Sequence, residues 1–131
     1  MSKNSMALHM AHYIYMCETR DLGLIVNKNI VTWSRALKRG WFFVNLREMM
    51  KKSVVRFMFK KKDGSIRYAK GTLHPILIPD DKKAKHDGLT LWNEQYKAIA
   101  FFDLDKQEWR SFNIHDFIGI DGGIWQIVKT V

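Results

Sequence analysis

The spacing of apolar and polar positions changes once along this chain, from the period of a helix to that of a strand. Met6, Met10, Tyr13 and Cys17 recur at helical spacing, and Leu8, Ala11 and Tyr15 widen the stripe, which predicts a helix over residues 5–19. The segment RDLGLIVNKN breaks it, with Gly23 and asparagines as turn residues. Thr32 is the predicted N-cap of a second helix, WSRALKRGWFFVNLREMMKK. Along it Trp33, Leu37, Trp41 and Val44 form one line, with Ala36, Phe43 and Met50 beside it. Gly40 within this pattern marks a kink or a close helix crossing.

From Ser53 the period is two. Val55, Phe57 and Phe59 alternate with Val54, Arg56, Met58 and Lys60; Asp63-Gly64 turns the chain, and IRYAKGTL returns as a second strand. Two registers are open. A two-residue turn sets Lys60 opposite Arg67, whereas a three-residue loop with a bulge at Gly64 sets Arg56 opposite Lys70. Beyond HPILIP, the polar run DDKKAKHDG reads as an exposed loop, and YKAIAFFDL and EWRSFNI as a second strand pair around DKQ. HDFIGIDGG reads as a tight turn and IWQIVKTV as the last strand. The expectation is an α+β fold: a helical region over residues 1–52 packed on a five-stranded β-barrel over 53–131, together one compact unit. Closure is favoured because it removes exposed strand edges; an open sheet covered by the helices is the competing architecture.

Composition fits one folded unit, with 131 residues of which 47% are hydrophobic. Cys17 is the single cysteine, so no internal disulfide is available, and neither a signal peptide nor a membrane span is read. A reducing cytoplasm is the expected location. The formal net charge is +9, and its placement is uneven. Arg35 to Lys70 holds twelve basic residues against Glu48 and Asp63, so the whole excess sits in one segment, as an electrostatic footprint for a polyanion would.

No catalytic set emerges. His9 and His12 are one helical turn apart, but two ligands do not make a metal site, and Cys17 is too far along to be a third. Asp103, Asp105 and Glu108 fall in DLDKQEW, where a turn role is the simpler account. GIDGGIW is not a nucleotide-binding glycine pattern. The expectation is therefore a non-enzymatic module with no metal and no cofactor.

The motifs Lys61-Lys62-Asp63-Gly64-Ser65-Ile66-Arg67 and Trp109-Arg110-Ser111-Phe112 resemble the recurring hairpin and strand of the WYL-like, Sm-like SH3-type β-barrel family of bacterial and phage proteins. Asn113 departs from that pattern, which has Arg at this position. The resemblance covers roughly residues 53–120, and the helix around Ala36, Leu37, Lys38 and Trp41 is similar to one often attached to such barrels. It implies an Sm-like or SH3-like five-stranded barrel and, by analogy with relatives, nucleic-acid or nucleotide binding in an accessory protein of a phage or mobile element.

The candidate nucleic-acid or anion site comprises the strand cations Arg56, Lys60, Lys62, Arg67, Lys70 and Arg110. Tyr68 and Trp109 join it as stacking platforms, although aromatics at alternating strand positions are more often core. Single-stranded RNA or DNA is the expected ligand. A protein partner or a second copy on the apolar helical faces is the alternative.

Overall fold

The computed structural model describes residues 2–21, 29–83 and 97–120. Helix α1 spans Lys3–Asp21 and α2 spans Asn29–Lys52. Because α2 begins before Thr32, that residue lies in the first turn and is not the cap. Ser53 alone separates α2 from strand β1 (Val54–Lys60), after which come β2 (Ile66–Thr72), β3 (Ala98–Asp103), β4 (Glu108–Asn113) and β5 (Phe117–Ile120).

The end of the chain corrects the sequence reading. Phe117–Ile120, expected within a tight turn, forms β5 and pairs with β1, and a single 3-10 turn at Ile114–Asp116 leads into it. Burial of Phe117, Gly119 and Ile120 outweighs the turn character of the glycine-rich spelling. The strand expected over residues 124–131 lies outside the described residues, as does most of the expected polar loop beyond Lys83.

The helices pack on each other through small residues. Ala7, Met10 and Ala11 of α1 and Ala36 of α2 are fully buried, and a Cβ on Gly40 would stand 2.5 Å from the Ala7 carbonyl oxygen. Gly40 therefore marks a close crossing, and α2 runs through it unbroken. Of the two apolar seams, Met6, Met10 and Val44 are buried, while Tyr13, Trp33, Leu37 and Trp41 are half-buried against the core. Glu48 pairs with Lys3 at 3.6 Å and Lys51 at 3.5 Å, linking the helices at one edge. Arg47 is buried, and burial lowers its pKa against the opposing effect of Glu48. No helix among the described residues is long and apolar enough to cross a membrane.

The sheet is antiparallel with the order β4-β3-β2-β1-β5: four strands in a meander, the fifth returning to the first. It curls around an aromatic interior. Phe57 and Phe59 of β1, Phe101 of β3, Phe112 of β4 and Phe117 of β5 meet there, and the Phe112 and Phe117 rings lie 5.3 Å apart between the two end strands. Space for these rings comes from β2, whose inward positions are Ala69 opposite Phe57 and Gly71 opposite Val55. A Cβ on Gly71 would come within 2.8 Å of both Phe57 and Phe101.

Helix α2 closes one side of this interior. Phe42 and Phe43 lie 5.6 Å and 5.3 Å from Phe117. At the end of the helix, the Met50 carbonyl accepts the Leu73 N–H at 2.8 Å, and the buried Thr72 hydroxyl lies 3.2 Å from the same oxygen and 3.0 Å from the Ser53 carbonyl. Of the carbonyls left without an intrahelical partner at the end of α2, that of Met50 is thus satisfied by the end of β2.

Candidate nucleic-acid interface

The basic hairpin takes the three-residue loop. Lys61 N–H donates to the Ser65 carbonyl at 2.8 Å, and Gly64 N–H donates back to the Lys61 carbonyl at 2.9 Å. Gly64 sits at φ 90°, as the bulge requires. Asp63 is exposed and accepts the Ser65 hydroxyl and then its amide through one oxygen, which holds the carboxyl below its usual pKa. The resulting register pairs Arg56 with Lys70, Met58 with Tyr68, Phe59 with Arg67 and Lys60 with Ile66. The register with Lys60 facing Arg67 does not occur. Because nothing lies within 4 Å of a Cβ placed on Gly64, a substitution there is opposed by backbone conformation alone. Gly64→Val is expected to cost roughly 1–3 kcal/mol in chemical denaturation.

This register divides the candidate residues between two surfaces. On the outer face of β1 and β2 lie Arg56, Met58, Tyr68 and Lys70, and they line a shallow hollow of about 290 Å³ with Asp105 at its rim. Lys70 is 3.9 Å from Asp105. Tyr68 is 69% exposed, so its core reading is overturned: the interior takes Arg67, Ala69 and Gly71 and turns Tyr68 to solvent.

Around the loop end of the hairpin, toward β4, is a cleft of about 350 Å³. Lys60, Lys61, Lys62, Arg67 and Arg110 line it with Ser111 and Asn113, and Asp116 is the one carboxylate among the described residues that line it. The two arginines are engaged. Arg67 donates to Asp103 at 2.5 Å, and Arg110 donates to Glu108 at 2.5 Å. Lys60, Lys61 and Lys62 form no ion pair with a described residue.

Asp103 anchors the Arg67 side of this cleft. It is fully buried and accepts the amides of Asp105 at 3.0 Å and Lys106 at 3.1 Å, alongside Arg67. Burial by itself would push its carboxyl up; the Arg67 bond and the two amides outweigh that and hold it below its usual pKa. Its turn role was legible in sequence, whereas the ion pair was not.

Trp109 belongs to neither surface. It is half-buried across from Phe102, the rings 5.8 Å apart edge to face, and its indole N–H donates to the Lys82 carbonyl. Sequence reasoning left Lys61 and Ser111 out of the site, although Lys61 belongs to the same lysine run. Two of the histidines make local contacts: His9 bonds the Ser5 carbonyl at 2.7 Å, and His115 bonds the Tyr13 hydroxyl at 2.9 Å. Among the described residues no three His, Cys, Asp or Glu side chains converge as metal ligands would.

Comparison with known proteins gives two matches. A family model described as WYL_2, Sm-like SH3 beta-barrel fold, matches residues 43–118. The chain is also similar to an "Uncharacterized 11.5 kDa protein in Gp31-cd intergenic region" of Enterobacteria phage T4, 32% identical over 83 residues, covering 60% of this chain and 80% of that protein. No solved structure matches significantly.

Proposed function

The chain belongs to the WYL_2 family of Sm-like SH3 β-barrels, and from that premise we propose that it is a non-enzymatic binding module whose basic cleft takes the phosphate backbone of nucleic acid. Fold alone does not carry this, since small barrels host unrelated activities. The observation that carries it is the cleft itself: three lysines with no ion pair to a described residue stand beside Arg67 and Arg110, which Asp103 and Glu108 hold in place, and Asp116 is the one carboxylate among the described residues that line it. Such clustering costs self-repulsion that an anion relieves, and each phosphate neutralised releases condensed counterions. The phage relative and the lone cysteine support a role as a phage or mobile-element accessory protein in the cytoplasm.

The test is binding to a labelled single strand across a salt series. Affinity is expected to fall steeply as salt rises, with a slope of about −0.7 for each phosphate contact. Lys60→Glu with Lys62→Glu is expected to weaken binding at least tenfold at low salt and to flatten that slope by about 1.4. The same exchange at Lys82 and Lys83, away from the cleft, is expected to change little. Binding that ignores salt, or that survives the double exchange intact, overturns the proposal.

A further inference from the structure

The outer face of the hairpin carries a pattern that phosphate binding in the cleft does not use. Along β1 and β2 its cross-strand pairs run Arg56 with Lys70, then Met58 with Tyr68, then Lys60 with Ile66. The row of Met58 and Tyr68 therefore lies between a row of two cations and a row that sets Lys60 beside the exposed Ile66, each about 6.7 Å away at the rise of a strand. Lys60 belongs to both surfaces, since it ends the outer face and also lines the cleft.

Tyr68 is free for a ligand. It is 69% exposed, and it makes no ring contact or hydrogen bond with a described residue. Met58 beside it is half-buried and supplies an apolar, polarisable floor. Arg56 and Lys70 face each other as like charges, and Asp105 offsets Lys70 only from 3.9 Å.

From this we propose that Tyr68 is a base-stacking platform, and that the protein's ligand is an unpaired nucleic-acid strand that passes from the cleft over Lys60 onto the outer face of the hairpin. This rests on the phosphate-cleft reading and extends it. A duplex keeps its base faces stacked inside, so an exposed tyrosine can be covered only by a base that is splayed out. Arg56 and Lys70 on one side of Tyr68 and Lys60 on the other are the cations that would meet the phosphates before and after that base. An acidic peptide would satisfy the cations but would leave the ring of Tyr68 without a partner.

Three ligands of similar length separate these cases: an oligothymidylate of about twelve nucleotides, within the range of a small barrel's site, the corresponding abasic deoxyribose-phosphate strand, and polyglutamate. Fluorescence anisotropy is measured for the wild type, Tyr68→Ala and Tyr68→Phe. Tyr68→Ala is expected to weaken oligothymidylate binding by about five- to a hundredfold and to leave the abasic strand unchanged, while Tyr68→Phe binds as the wild type does. Since Tyr68 is exposed, both variants are expected to unfold at the wild-type midpoint. If Tyr68→Ala binds oligothymidylate normally, or weakens all three ligands alike, the stacking inference is overturned and the cleft reading stands. If the wild type binds neither nucleic-acid strand, both fall.

Discussion

Phe57→Ala is expected to remove a large share of this protein's stability, about 3–5 kcal/mol. Phe57 is 2% exposed and lies 5.0 Å from Phe101, 5.3 Å from Phe112 and 5.9 Å from Phe117, so three other strands meet on this one ring. Truncation removes the transfer energy of the ring and leaves a cavity that the barrel wall cannot fill. Losses of about 3–5 kcal/mol follow at such sites, against a total stability of roughly 5–15 kcal/mol for a domain. Phe57→Leu retains much of the apolar volume and is expected to lose less. Chemical denaturation of the two variants measures this. A cost below about 1 kcal/mol for the alanine variant would mean that the ring is not central to the core.

Arg67→Met is expected to cost about 3 kcal/mol at neutral pH, the lower end of the range for breaking a buried pair. Asp103 is wholly buried and Arg67 is about one fifth exposed, so the substitution strands a carboxylate with only its two amide donors. The effect depends on pH in a fixed direction. A carboxyl held below its usual pKa in the folded state stabilises the fold above the unfolded value of about 3.9, and that contribution is lost as pH falls through the folded value. Asp103 is such a group in the wild type. In the variant, burial is no longer outweighed by the guanidinium, so protonation relieves the stranded charge. The gap between variant and wild type should therefore be widest near neutrality and should narrow below about pH 4. A gap that stays constant across that range would show that Arg67 stabilises by packing of its stem and not by its charge.

The sequence made the inward face of β1 plain because Val55, Phe57 and Phe59 are all large and apolar while their neighbours are mostly not. Strand β2 was ambiguous. In IRYAKGT, hydrophobicity favours Ile66 and Tyr68 as the inward pair, yet the rings of β1 and β3 need room, and only Ala69 and Gly71 provide it. Volume overruled hydrophobicity there, which turned Tyr68 outward and Arg67 inward. The lysine run announced the basic cleft, but its separation from the outer face depends on strand parity and on the loop length at Gly64. Trp109 could not be placed from sequence because what meets its indole N–H, the Lys82 carbonyl, comes from a distant segment. Strand β5 was hidden for a local reason, being four residues long with Gly119 inside it.

The junction at Ser53 has a consequence for how this protein can be cut and rearranged. The Met50 carbonyl is capped by β2, and Phe42 and Phe43 cover Phe117. A fragment starting at Val54 would expose that aromatic wall to water and leave Thr72 without its helix-end acceptor, so the strands are not a portable cassette. The piece that can be inherited or grafted as a whole includes the second half of α2, and the family match, which opens at Phe43 inside the helix and runs to residue 118, has that same extent.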